Sequence, residues 1–342
     1  MSTVSTFSRN RLVGSLSVLA VAVLAACAND AAPTAAPATG ASASAAAAVP
    51  LRTPAIAGVV AANTPIELIK EGFNGTEGPV ATPDGGFIFT ETVANRITRI
   101  AADGSTSTFL DKSNGSNGLS FTANGDLYAV QVLKPQVGIV YPAARAKVLA
   151  DNFEGAPFGR PNDLVVGRDG TVYFTDSGAA AKPDQPAPAK PAVYRIKPQG
   201  GLQRIAFDIE RPNGIQLSLD EKTLYVANTP GEHLLALDLA ADGSVGKRRN
   251  FAKLAGWRQT ENGPSSGADG LAVDAQGRVY VASTAGIQVF SEKGDALGVI
   301  ALPKAPQNIA FAGPDKRTLY VVGRGSAYRF PVLTPGFAGR SK

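Results

Sequence analysis

Pro161-Asn162-Asp163-Leu164-Val165-Val166-Gly167-Arg168-Asp169-Gly170-Thr171-Val172-Tyr173-Phe174-Thr175 contains, in fifteen residues, the unit from which the chain is built. A polar residue opens a short apolar strand, an Asp-Gly turn follows, and a second strand rich in Tyr, Phe and Val returns. Asp-Gly and Asn-Gly are favoured where a hairpin needs positive φ. The second strand recurs as Phe87-Ile88-Phe89-Thr90, Leu127-Tyr128-Ala129-Val130, Leu224-Tyr225-Val226-Ala227, Val279-Tyr280-Val281-Ala282 and Leu319-Tyr320-Val321-Val322. Third strands are legible too, as in Arg96-Ile97-Thr98-Arg99-Ile100, Ala192-Val193-Tyr194-Arg195-Ile196 and Ala327-Tyr328-Arg329-Phe330.

Aligning the copies places Glu77, Asn117, Asn162, Asn213, Asp269 and Gln307 at one position, at intervals of 40, 45, 51, 56 and 38 residues. A propeller blade of four strands takes about 40–50 residues. The pattern predicts an all-β fold, a six-bladed β-propeller over residues 66–331. The last copy has three strands, so Ile66-Glu67-Leu68-Ile69-Lys70 is expected to supply its fourth and close the ring. Innermost strands line a propeller's channel, so the six aligned residues are expected to ring one mouth of it. Each carries a side-chain oxygen. Local strand capping explains one or two such residues, but not six facing one axis. An all-oxygen set with two carboxylates suits one hard divalent cation. Calcium fits best and magnesium is an alternative; the absence of imidazole and thiolate argues against zinc as the preferred metal without stopping it from binding.

The 342 residues contain one His, His233, and one Cys, Cys27, which excludes poly-imidazole and poly-thiolate metal sites and an intramolecular disulfide. A net charge of +5, in part from Arg9 and Arg11, gives no nucleic-acid footprint. Residues 1–27 read as a lipoprotein-type signal peptide: a basic start, an apolar stretch too short to span a bilayer, then Leu24-Ala25-Ala26-Cys27. That ending resembles the lipobox of bacterial lipoproteins, in which the cysteine is lipidated. The expectation is an exported, periplasmic protein whose only membrane contact is a lipid anchor at Cys27. Residues 28–65, rich in Ala, Pro and Ser, read as a tether, and 332–342 as a C-terminal tail. A monomer is expected.

Thr76-Glu77-Gly78-Pro79, Arg160-Pro161-Asn162-Asp163, Arg211-Pro212-Asn213-Gly214 and Ala268-Asp269-Gly270-Leu271 resemble, in order and in placement, four signature segments of one family. It is the senescence-marker-protein, gluconolactonase and luciferin-regenerating-enzyme family of six-bladed propellers. The resemblance implies that Glu77, Asn162, Asn213 and Asp269 bind the metal and that Asp269 is the general base or nucleophile. It further implies that Arg160 and Asn117 contact the substrate, and that Asn162 serves metal or substrate. The activity implied is metal-dependent opening of a sugar lactone or similar ester. The segment Gln131-Val132-Leu133-Lys134-Pro135 departs from gluconolactone-hydrolysing members, which leaves the lactone itself open. Two alternatives stay open as well: a non-catalytic, calcium-stabilised binding propeller, and an organophosphate hydrolase of diisopropyl-fluorophosphatase type.

Gly263-Pro264-Ser265-Ser266-Gly267 fits G-x-S-x-G, but that motif needs a strand-to-helix turn and a histidine partner. His233 is the one histidine, and it reads as an ordinary loop or strand residue. Trp257 reads as packing or pocket wall.

Overall fold

A computed structural model describes residues 51–241 and 244–342. The signal peptide, Cys27 and the first part of the tether lie outside the described residues. Six antiparallel four-stranded sheets follow one another along the chain, each ordered from an inner to an outer strand. The inner strands are Thr76–Ala81, Ser116–Phe121, Pro161–Val166, Pro212–Leu217, Leu271–Val273 and Asn308–Ala312. Each touches the inner strands of the two neighbouring blades, and the sixth returns to the first. This is the six-bladed propeller expected from the repeat.

Alternation along the strands fills the seams between blades. Each of six apolar clusters joins two adjacent blades. Between blades 1 and 2, for example, Val80, Ile88 and Ile97 meet Leu119, Phe121 and Leu127. At the seam between the last blade and the first, Phe87 stacks on Tyr320 with centroids 4.2 Å apart. Burying such faces is the main favourable term in folding.

The ring closes as expected. Glu67–Glu71 pairs antiparallel with Ser326–Pro331 and becomes the outer strand of blade 6. Arg329 clamps Glu67 through two bonds of 2.8 and 2.9 Å. Residues 51–65, assigned to the tether from composition, are instead packed. Arg52 bridges to Pro65 and Ile56 to Val60, while Ile56, Val59, Val60 and Ile66 enter the apolar seam between blades 5 and 6.

Residues 332–342, read as a tail, are also built in. Leu333 donates its N–H to Val59 O at 2.9 Å, and Thr334 Oγ1 donates to Gly58 O at 2.6 Å. The chain then crosses the end of the channel opposite the aligned residues. Phe337 N–H donates to Val273 O (3.1 Å), Arg340 Nη2 to Leu217 O (2.6 Å), Ala81 N–H to Ser341 O (3.2 Å) and Phe121 N–H to Ser341 Oγ (2.8 Å). Those four acceptors and donors outside the tail are the last residues of four inner strands, so the segment plugs that end.

Candidate functional site

The six aligned residues sit at or just before the starts of the inner strands, at one mouth of the channel. In blades 1 to 4 the ladder slips there: register shifts lie between Glu77 and Val80, Ser116 and Leu119, Pro161 and Leu164, and Pro212 and Ile215. A bulge re-aims side chains and frees local backbone. Hydroxyls of one blade then grip the next. Thr90 Oγ1 donates to Asn117 O (3.0 Å), Thr175 Oγ1 to Asn213 O (2.6 Å) and Thr229 Oγ1 to Ala268 O (3.1 Å). The backbones of Asn117 and Asn213, and that of Ala268 beside Asp269, are therefore held by contacts between blades.

Several of those side chains are short of partners. Among the described residues, six buried side-chain polar atoms lack a hydrogen bond, and three are Asn117 Oδ1, Asn213 Oδ1 and Asp269 Oδ1. Buried polar atoms are ordinarily satisfied. Three acceptors without donors, at three of six equivalent positions around one axis, fit a cation or a substrate's hydroxyls. Glu77 is buried and accepts from Gln307 Nε2 at 3.2 Å and Asn308 Nδ2 at 3.3 Å. Asn162 is half-buried, and its Nδ2 donates to Ser177 Oγ at 3.1 Å. No group of three His, Cys, Asp or Glu side chains among the described residues is placed to hold a metal. The set that fits here is half amide.

The electrostatics agree with that fit. Burial, and then the charge of Asp163, pushes the Glu77 carboxyl up to about 7. Asp269 is raised well above the usual carboxylate range by burial, then by Glu77 and Asp163, against the opposing charges of Arg324 and Arg211. Two carboxylates that destabilise each other's charge gain from a cation between them. Arg160, Arg211 and Arg324 are exposed at this mouth; Arg160 acts on Glu77, and the Arg324 N–H donates to Gln307 Oε1 at 2.7 Å.

Asp163, Asn308 and Lys342 join the site without having been singled out from the sequence. Glycine follows four of the aligned residues, while Asp163 and Asn308 follow Asn162 and Gln307. A Cβ on Gly118 would overlap Asp163 Oδ1, and one on Gly270 would overlap Asn308 Oδ1, so the neighbours' glycines make room for these two. The break in the Gly pattern was the available signal. Lys342, at the end of the plug, pairs with Asp163 Oδ2; nothing local in the sequence marks it. Ser265 lies in a small hairpin of Arg258–Thr260 with Gly263–Ser265 and donates to Thr229 O at 3.2 Å. His233 opens a strand of blade 4 with Nδ1 4.0 Å from Glu232. They form no catalytic pair. Trp257 Nε1 donates to Pro230 O at 2.9 Å.

Residues 75–324 match the SMP-30/gluconolactonase/LRE-like region. A gluconolactonase of Zymomonas mobilis is 29% identical over 309 residues, covering 83% of this chain and 86% of that one. The structure of a gluconolactonase from Xanthomonas campestris superposes with a TM-score of 0.70 at 29% identity, over 83% of this chain and 95% of that one. A calcium-binding regucalcin from Agrobacterium tumefaciens, TM-score 0.64 at 19% identity over 82% and 96% of the two chains, shares the fold.

Proposed function

The chain belongs to the SMP-30/gluconolactonase/LRE-like family, and from that membership we propose that it is a lactonase, a hydrolase that opens a sugar lactone or similar ester with one divalent cation, calcium in first place. The observation that carries the metal-dependent reading is the trio of sealed, unpartnered oxygens on Asn117, Asn213 and Asp269 beside the buried Glu77. Glu77, Asn162, Asn213 and Asp269 would hold the cation, with Asn162 shared between cation and substrate, and Asn117 would meet the substrate. A bound divalent cation supplies Lewis-acid polarisation of the lactone carbonyl. Both Glu77 oxygens are engaged by Gln307 and Asn308. Asp269 has an unpartnered oxygen and is only partly covered, so it takes the proton of the attacking water or attacks as nucleophile. Opening a lactone creates a hydroxy-carboxylate. Arg160, with Arg211 and Arg324 at the same mouth, orients the substrate's hydroxyls and receives the new negative charge.

The test is proton release from a panel of aldono- and alkyl-lactones, with calcium, with zinc and after chelation. Turnover that needs the metal and disappears in Asp269→Ala supports the reading. Tight cation binding with no turnover on any lactone replaces it with a binding propeller. We also propose export to the periplasm and anchoring at Cys27, on the strength of Leu24-Ala25-Ala26-Cys27. Membrane fractionation of Cys27→Ala checks this: release of the variant into the soluble fraction is expected.

A further inference from the structure

Among the described residues, three carboxylates act on one another here, Glu77, Asp163 and Asp269, and the aligned positions supply only two of them. The third, Asp163, lies one residue inside the ring, and its charge acts on both Glu77 and Asp269. It is fully committed within the protein. Oδ1 accepts the Leu164 N–H at 2.9 Å, and Oδ2 pairs with Lys342 Nζ. The two side chains are 1% and 0% exposed. A buried ammonium is costly unless paired and hydrogen-bonded, and this one reaches its partner from the opposite end of the channel. The route is anchored at each step, by Phe337 on Val273, Arg340 on Leu217, and Ser341 on Ala81 and Phe121. Arg340 Nη1 is further fixed by Glu221 Oε1 at 3.0 Å. Room for Asp163 comes from the missing side chain of Gly118.

We infer that the Lys342 ammonium is a built-in counter-ion of the axial site: by pairing with Asp163 it lowers the negative charge that a cation there would meet, and so favours a divalent over a trivalent ion. The Lys342 ammonium offsets the charge of Asp163, the carboxylate that acts on both Glu77 and Asp269. Without the ammonium the charge of Asp163 is left uncompensated, and a trivalent ion gains over a divalent one, because Coulomb attraction scales with charge. Lys342 is thus a specificity-determining residue that acts through Asp163. The inference rests on the divalent-cation reading above.

The experiment titrates the purified chain with terbium, followed by luminescence, and with calcium, followed by calorimetry. In Lys342→Met the preference for terbium over calcium is expected to rise by about tenfold or more relative to wild type. The double variant Asp163→Asn/Lys342→Met, which removes both charges, should return it to the wild-type ratio. An unchanged ratio in Lys342→Met, or a shift that persists in the double variant, overturns the inference. Should Lys342→Met fail to fold, Asp163→Asn alone decides: it leaves the ammonium unpaired beneath the cation, so calcium affinity should fall by about tenfold or more, and an unchanged affinity overturns the inference. A wild-type chain that binds neither ion overturns the metal reading itself, whereas a wild type that binds beside an unaffected Lys342→Met overturns this inference alone.

Discussion

Asn162 and Asn213 carry the same side chain at equivalent positions, yet their surroundings differ. Asn213 is buried, its Nδ2 donates to Thr229 Oγ1 at 3.0 Å, and its Oδ1 has no partner. Asn162 is half-open to the mouth. Asn213→Ala should therefore weaken calcium binding by roughly tenfold, about 1.4 kcal/mol, the scale of a lost charge-assisted contact. Asn162→Ala should act mainly on KM; calorimetry and steady-state kinetics on the two variants separate the roles, and equal effects would mean that both serve the cation. Asp269→Asn keeps the shape of the side chain but removes the base. It should retain the fold by circular dichroism and lose about 10²- to 10⁴-fold in kcat/KM, the usual worth of a positioned general base. Near-full turnover would remove Asp269 from the proton transfer. The six ring positions were legible because a repeat aligns them, whatever their chemistry. Lys342 was not, because its partner Asp163 is 179 residues away and no local pattern encodes a contact made across a channel.

At the level of the strand, the alternation of site residue and glycine is a packing device. A Cβ on Gly214 would collide with Asp269 O, and one on Gly78 with Asn117 O, each a backbone atom of the next blade that cannot rotate away. Gly214→Ala is expected to cost about 1–3 kcal/mol, the range for overpacking, and to lower cation affinity by displacing Asp269. Thermal unfolding with and without calcium reads both effects; a stable variant with intact affinity would mean that the blades slide apart at no cost. The inner strands were readable from Asp-Gly turns and period-two alternation, which are local signals. Residues 51–65 were not. Their Ala, Pro and Thr content imitates a linker, and Ile56, Val59 and Val60, which fill the seam between blades 5 and 6, are too few to stand out against it.

Closure of the whole ring depends on both ends of the described chain, and a half-buried cation of blade 6, Lys316, grips the plug. Lys316 Nζ donates to Phe337 O at 2.9 Å and to Arg340 O. Burial, and then the neighbouring Arg340 charge, lowers its pKa from 10.5 to about 8. Between those two values the unfolded chain holds the proton and the folded chain does not, so stability rises with pH across that window and is level below it. The contribution is up to about 3 kcal/mol. Lys316→Met removes the titration and also the two hydrogen bonds, so the informative quantity is the difference between wild type and variant as pH changes. Urea unfolding at pH 7.5, 9 and 10.5 should show wild type gaining on Lys316→Met as pH rises. A constant difference would mean that the plug opens enough to hydrate the ammonium. In that case the far end of the channel is not sealed, and Arg340 Nη1 and Nη2, bonded to Glu221 and Leu217, would be left as the anchors that carry Lys342 toward Asp163.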